Sequence, residues 1–402
     1  MMMAATTKAT REQTKRHNNR LVLKTVYNRG LVSRADIARS THLTATTVSA
    51  TIAELMASGL VEEAGAVSTE RGKPPTLINL VKDARQVIAL DLSRDIFRGS
   101  ILNLRGEIVQ QQTFPVAGLT GNAAIAAVYA VIDRLLPQVN RPLLGIGIGA
   151  PGILDYNTGT IQQAANLGWH NFPLRDQLSH HYACVVHLIN DNQATLLAEY
   201  SFGEYRTCAD LVVIRIGHGI GAGLMLNHQL IHGYGVGEIG HLVVVVDNGE
   251  RCTCGNLGCL ETIASSRAIV KGARLLARSH PDSQLNHLAI TPDDITIETV
   301  IQAFDQDDPV LLPLIANVGH YLGVAIAGLV GVLGMPQILL CGSVMRFGPR
   351  LLEMIEHEIC QRSLTGRLRK PRLAMLNLGS DISDSVMRGA AASLLTHELG
   401  LF

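Results

Sequence analysis

Residues 237–261 read Gly-Glu-Ile-Gly-His-Leu-Val-Val-Val-Val-Asp-Asn-Gly-Glu-Arg-Cys-Thr-Cys-Gly-Asn-Leu-Gly-Cys-Leu-Glu, and this stretch decides how the rest of the chain is understood. Three of the seven cysteines, Cys252, Cys254 and Cys259, fall within eight residues, and His241 precedes them by eleven. One imidazole and three thiolates form the soft nitrogen and sulfur set that a structural zinc ion selects. Gly255 and Gly258 permit the tight turns that bring such ligands to one point. The expectation is one structural zinc per chain, held by His241, Cys252, Cys254 and Cys259. The competing reading, reduced cysteines acting as small apolar core residues, gives no reason for them to gather around glycines.

The block resembles the signature of the ROK family, named for its repressors, open reading frames and sugar kinases. It carries Glu238-x-Gly240-His241 and then Cys252-x-Cys254-Gly255-x-x-Gly258-Cys259-x-Glu261. The resemblance implies an α/β chain with a two-lobed, actin-like (ribonuclease H-like) sugar-kinase fold and structural zinc. It also implies that Glu238, His241 and Glu261 hydrogen-bond a sugar. The chemistry agrees: carboxylates accept from vicinal hydroxyls, and a metal-bound imidazole keeps its second ring nitrogen available.

Upstream, residues 81–200 read as a first α/β lobe. Strands are expected at Gln86–Asp91, Arg98–Leu104, Glu107–Val116 and Leu144–Gly149, with a helix over Asn122–Leu136. Asn166-Leu-Gly-Trp169 is similar to the family's Asn-Leu-x-Gly-Trp, one residue shorter, which makes Asn166 a further sugar candidate and leaves Trp169 as either a contact or core. The strand Val185–Ile189 runs into Asn190-Asp191-Asn192, ahead of a helix over Ala194–Glu199. Ligands of open α/β sheets sit at the carboxyl ends of strands. The resemblance makes Asn190 and Asp191 sugar ligands, with Asp191 the general base in the kinases. An Asn-Asp pair that merely caps the next helix is the plainer alternative, and the two roles are compatible.

Residues 201–402 read as the second lobe. Leu211–Ile216 leads into the turn Gly217-His-Gly-Ile-Gly-Ala-Gly223, a long helix spans Val310–Gly334, and strands follow at Gln337–Gly342 and Arg372–Leu376. A C-terminal helix over Ser385–His397 closes this lobe. Kinases of the resembled fold have Thr where His218 stands, and they follow the first strand with Leu/Ile-Gly-Gly-Thr-Lys where this chain has Leu92-Ser-Arg-Asp-Ile96. Gly342-Ser343 likewise replaces a Gly-Gly pair. The sugar positions are matched and the ATP-phosphate positions are not, so the body is expected to bind sugar without phosphoryl transfer.

The first eighty residues carry 11 Lys/Arg against 6 Asp/Glu, whereas the chain as a whole is neutral with 34 of each. A basic module on an acidic body points to a polyanion partner for that module. A helix from Arg16 ends at Gly30. Ser33, with Asp36 three residues on, is an N-cap for a short helix, and a break at His42-Leu43 precedes a second helix from Thr44 to the C-cap Gly59. Val48, Ile52, Leu55 and Met56 form its apolar stripe. Two short helices and a tight turn describe a helix-turn-helix, and strands near Leu60–Glu63 and Thr76–Leu80 flank the basic tip Arg71-Gly-Lys-Pro-Pro75. Residues 1–80 are therefore expected to be a winged helix-turn-helix, resembling ROK repressors in its Val-Ser-Arg-Ala-Asp-Ile-Ala start and its variant Arg-Gly-Lys-Pro wing. Arg34, Thr44, Thr46, Thr47, Ser49, Arg71 and Lys73 are the DNA candidates. A helical protein-docking module is the alternative.

Hydrophobic residues make up 47% and charged residues 17% of the 402, which excludes a disordered chain. The N-terminus has no lipophilic signal region, and no apolar run reaches membrane-span length without polar interruption. An odd cysteine count with a metal-like cluster fits a reducing compartment, so the expected location is the cytoplasm, with no membrane partner. The function expected is a sugar-responsive DNA-binding regulator, a repressor of carbohydrate-utilisation genes, sensing a monosaccharide or its phosphate. Its partners would be a palindromic double-stranded operator and a second copy of the chain, as a dimer or dimer of dimers. An active sugar kinase with an appended DNA-binding domain is the alternative, and a body that docks another protein is a third reading.

Overall fold

A computed structural model describes residues 10–66, 76–93, 95–364, 370–376 and 382–402. The chain divides into two compact units, residues 1–189 with 390–402 and residues 190–389.

The first unit begins with α1 (Arg11–Arg29), five residues before the expected start, because Thr10 and Gln13 form a reciprocal capping box. A two-residue strand β1 (Val32–Ser33) leads into α2 (Arg34–Thr41), where Ser33 Oγ accepts from the Asp36 N–H at 3.2 Å. His42 in the left-handed region turns the chain toward α3 (Ala45–Ala57), capped by Thr44. Val48, Thr51, Ile52 and Leu55 are buried, whereas Met56, expected on that stripe, is exposed. Strands β2 (Val61–Ala66) and β3 (Thr76–Leu80) follow, and the sheet order is β1-β3-β2. The short β1 carried no sequence signal, since two residues show no alternation.

The body of this unit is a five-stranded sheet ordered β11-β7-β4-β5-β6. It comprises β4 (Gln86–Leu92), β5 (Ile96–Leu102), β6 (Ile108–Pro115), β7 (Leu143–Ala150) and β11 (Val186–Asn190). The first three form an antiparallel meander and β7 joins β4 in parallel. Helix α4 (Gly121–Leu135) packs on β5 and β6 through Val128, Val131, Ile132 and Leu135, all buried. A smaller sheet of β8 (Ile153–Asp155), β9 (Thr160–Ala164) and β10 (Trp169–Phe172), followed by α5 (Leu174–Tyr182), was not expected from sequence. Trp169 belongs to the core: it is buried, stacks on Phe172 and donates from Nε1 to the Gly121 carbonyl at 3.0 Å.

The second unit opens with α6 (Asp191–Phe202) and repeats the sheet logic in the order β14-β13-β12-β15-β16. Strand β12 (Leu211–Ile216) pairs antiparallel with β13 (Ile220–Leu226), which pairs with β14 (Gln229–Leu230); β15 (Gln337–Cys341) and β16 (Arg372–Met375) extend the sheet in parallel. The expected glycine-rich loop is thus mostly strand, with only residues 217–219 turning, because alternating small residues pack flat under α6. Helices α7 (Glu261–Ala264), α8 (Ser266–Ser279), α9 (Leu285–Leu288), α10 (Ile297–Asp305), α11 (Leu311–Leu333) and α12 (Pro349–Arg362) complete the unit. Among the described residues α11 is the one helix long and apolar enough to cross a membrane. Its Ile315, Val318, Leu322, Ile326 and Val330 are buried, and it packs against α7, α8, α10 and α12.

The division differs from the expected domains 1–80, 81–200 and 201–402 at three places, and at the first of them residues 1–80 group with the first lobe in one unit. Helix α6 belongs with the second unit because it packs on β12 and β13. Helix α13 (Ile382–Leu399) starts in the second unit, where Gly389 lies so close to the Ala194 backbone that a Cβ would sit 1.8 Å from its carbonyl oxygen. Its C-terminal part belongs to the first unit, where Arg20 donates to the His397 carbonyl and His187 Nε2 lies 3.1 Å from Glu398 Oε1.

Candidate functional site

The end of β11 and the start of α6 place the first pair of candidates. Asn190 is the N-cap, its Oδ1 accepting from the amides of Asn192 at 2.9 Å and Gln193 at 3.4 Å. The capping role expected as the plainer alternative is therefore present. Asp191 begins the helix rather than preceding it, since the cap fixes where helical geometry starts. Its Oδ1 accepts from the Asn192 N–H at 2.9 Å, and its Oδ2 pairs with the Arg215 guanidinium. Arg215, reaching over from β12, was missed in the sequence. The signal was there: a cation inside the aliphatic run Leu211–Ile216 needs an anionic partner. Asn192, also overlooked, has a buried Oδ1 with no partner among the described residues.

The second group comes from 238–261. Glu238 leads a single 3-10 turn ending at His241, and its Oε2 lies 3.9 Å from His241 Nε2. Glu261, buried at the start of α7, accepts from the Ile220 N–H at 3.2 Å and from Arg267 at 2.7 Å. Burial pushes the Glu238 carboxyl above its ordinary value, Asp191 and Glu261 add to the rise, and His241 opposes it. Three carboxylates thus share one electrostatic environment in the second unit, two of them held by arginines. That array suits a neutral polyhydroxyl ligand, which donates to the carboxylates and accepts from the guanidinium groups. Asn166 lies in the first unit, half-buried in a 3-10 turn over Ala165–Leu167.

His241 also faces the thiols. Its Nδ1 is 3.6 Å from Cys252 Sγ, and Cys254 Sγ is 3.6 Å from Cys259 Sγ. The four ligand atoms all lie within 4.8 Å of one another, a spacing able to hold one metal ion. Isolated bridges Val243–Cys259 and Arg251–Leu257 and the Cys252 N–H to Asn256 carbonyl bond at 2.8 Å fix the turns between the ligands. Gly258, at φ 74°, passes so close to the Val245 carbonyl that a Cβ would lie 1.9 Å from it. Gly258→Ala should consequently splay this segment and lower metal stoichiometry measured on purified protein; wild-type metal content in that variant would show the packing to be dispensable.

In the N-terminal module Thr44, Thr46 and Ser49 are exposed along the front of α3 and Thr47 is half-buried. Thr44 spends its hydroxyl on the cap, accepting from the Thr47 N–H at 3.2 Å. Arg34 pairs with Glu63 at 2.8 Å. Arg71, Lys73 and Arg94 lie outside the described residues. Beside Arg94, Ser93 donates to Asp91 at 2.6 Å and Asp95 is exposed, as is His218 in the second unit.

The chain is similar to several known proteins. The xylose repressor of Caldicellulosiruptor bescii is 30% identical over 370 residues, 90% of this chain and 92% of the repressor. A crystal structure of a ROK family transcriptional regulator, homolog of the Escherichia coli MLC protein, superimposes with a TM-score of 0.83 at 25% identity, over 96% of this chain and 99% of that one. A ROK family glucokinase from Streptomyces griseus, solved with glucose and AMPPNP, gives a TM-score of 0.67 at 27% identity, over 76% of this chain and 98% of the kinase. The body has the α/β actin-like architecture of that kinase group. With the ROK family model matching residues 87–397, the chain belongs to the ROK family.

Proposed function

We propose that this protein is a sugar-responsive, DNA-binding transcriptional repressor of carbohydrate-utilisation genes. One observation carries the reading. The glucokinase accounts for 76% of the chain while using nearly all of itself, whereas the ROK regulator accounts for 96%. What the kinase lacks and the regulator shares is a segment of the size of the N-terminal module.

That module is a winged helix-turn-helix on this reading. α2 and α3 form the helix-turn-helix, β2 and β3 the wing, and Thr44, Thr46, Thr47, Ser49 and Arg34 the groove-facing set. A palindromic operator would take two copies of the chain. The wing, 71–73, is tested by Arg71→Ala, which should weaken operator binding and reduce the magnitude of the salt slope by about one counterion. Wild-type affinity for operator across several salt concentrations would refute the wing assignment.

The sugar, a monosaccharide or its phosphate, is assigned to Asn190, Asp191, Glu238, His241 and Glu261 of the second unit. Its binding shifts the chain between two states of different operator affinity, by as much as its own affinity differs between them. The metal is assigned as one structural zinc. With Zn–S near 2.3 Å and Zn–N near 2.0–2.1 Å, a tetrahedral site spaces its sulfurs by about 3.8 Å and its nitrogen from sulfur by about 3.6 Å. The separations of 3.6 Å fit both edges. Zinc held at Nδ1 would leave Nε2 to the sugar and would fix the ring's orientation.

The body is assigned no phosphoryl-transfer activity. The reading rests on sequence resemblance, in which Ser93, Arg94, Asp95 and His218 replace the family's phosphate-loop residues, and on the Arg215 guanidinium, which is engaged with the carboxylate that would serve as base. The protein acts in the cytoplasm, where its operator and sugars meet.

A further inference from the structure

Cys254 stands apart from its neighbours in the metal-ligand cluster. Cys252 and Cys259 are buried, whereas Cys254 is exposed. The next residue, Gly255, takes φ 99° with nothing packed within 4 Å of the position a Cβ would occupy. Cys254 Sγ lies 3.6 Å from Cys259 Sγ, while Cys252 Sγ lies at the same distance from His241 Nδ1. One thiol is therefore open to a small dissolved reagent, and a second stands directly behind it. The cysteines outside the cluster, Cys184, Cys208, Cys341 and Cys360, are half-buried or buried.

The thiolate is the form of cysteine that peroxides oxidise, and susceptibility follows exposure. On meeting a peroxide, the Cys254 sulfur attacks one oxygen and the O–O bond breaks. That leaves a sulfenic acid, and the departing hydroxide takes a proton to become water. The Cys259 thiolate then attacks the sulfenic sulfur, forming the S–S bond as the S–O bond breaks, and a second water leaves after protonation. Two electrons pass from the sulfur pair to the peroxide. The sulfurs have to close from 3.6 Å to about 2.05 Å, a movement that the unobstructed turn at Gly255 accommodates. Once bridged, neither sulfur is a thiolate. The donor set of four then shrinks to His241 and Cys252, too few for a structural site.

We infer, on the metal assignment proposed above, that Cys254 and Cys259 form a reversible oxidation site that responds to peroxide and releases the metal. The effect falls on the sugar candidates, because His241 is itself a ligand and Glu261 lies two residues beyond Cys259. Oxidised protein should lose its sugar response. The plainer alternative is an inert structural site whose thiolates stay reduced.

Peroxide titration of the full-length protein, purified in reductant without chelator and desalted under nitrogen, decides between them. Zinc captured by a colorimetric indicator should reach the amount bound beforehand, and peptide mass mapping should show Cys254 joined to Cys259. Dithiothreitol with added zinc should restore the starting state. Cys254→His supplies a fourth ligand that structural zinc accepts but removes the exposed thiol, so it should hold its metal in peroxide at least about tenfold longer. Cys208→Ser and Cys360→Ser, outside the cluster, should release metal as the wild type does. Wild-type protein that keeps its zinc in peroxide, a bridge between other cysteines, or equally fast release from Cys254→His would overturn the inference. Reduced protein that carries no zinc would refute the metal assignment separately. A Cys254–Cys259 bridge formed in such protein would still support the oxidation site, and failure to form it would overturn it.

Discussion

Asp191→Ala should weaken binding of the cognate sugar at least about tenfold while leaving sugar-free operator binding intact. A carboxylate accepting hydrogen bonds from a neutral ligand contributes ~1.5–3 kcal/mol per bond, and each ~1.4 kcal/mol is a decade in affinity. The substitution also strips Arg215 of its partner, so thermal melting should accompany the titration to separate lost sugar contact from lost stability. Asp191→Asn keeps one acceptor while losing the charge and should be milder. A screen of free and phosphorylated monosaccharides supplies the cognate sugar. The same proteins serve an enzymatic assay: with magnesium, ATP and sugar, wild-type protein should release no ADP above background. Sustained release that disappears in Asp191→Asn would replace the sensor reading with that of a kinase carrying a DNA-binding module.

Loss of the metal should have the other large effect. Binding of structural zinc contributes ~10–16 kcal/mol in small zinc domains, enough to decide whether residues 241–259 hold their turns. Cys254 is the informative ligand because it is exposed, whereas Cys252 and Cys259 are buried. Cys254→Ser leaves no core cavity, so its consequences come through the ion. Zinc content should fall below about one per chain, and sugar response should weaken because His241 and, through the connected turn, Glu238 and Glu261 lose their frame. Protein that keeps full stoichiometry and an unchanged response would remove the metal from the mechanism.

How much of this was legible beforehand depends on how local the physics is. Helix caps were readable to the residue at Ser33, because a cap is a contact between neighbours three positions apart. The clustering of His241 with three cysteines was readable for the same reason: the ligands sit in one short stretch and only glycine turns are needed to gather them. The main strands were recognisable from their aliphatic runs. The glycine-rich stretch 217–223 misled, since glycines that look like a phosphate loop serve here as a flat strand under α6. Arg215 was visible as an anomaly without an address, and finding Asp191 as its partner required the packing of α6 against β12.

The sequence by itself determined the α/β class, the ROK resemblance, the clustering of His241 with three cysteines and the charge contrast between the first eighty residues and the remainder. These follow from residue identity and short spacing, where the covalent chain does most of the positioning. Only the tertiary structure decided that Trp169 is core, that α6 belongs with residues up to 389 and that the end of α13 belongs with the first unit. Tertiary packing also paired Asp191 with Arg215 and left Cys254 exposed while burying Cys252 and Cys259. Such facts depend on contacts between residues tens to hundreds of positions apart, whose loop-closure entropy must be overcome by packing that no local pattern encodes.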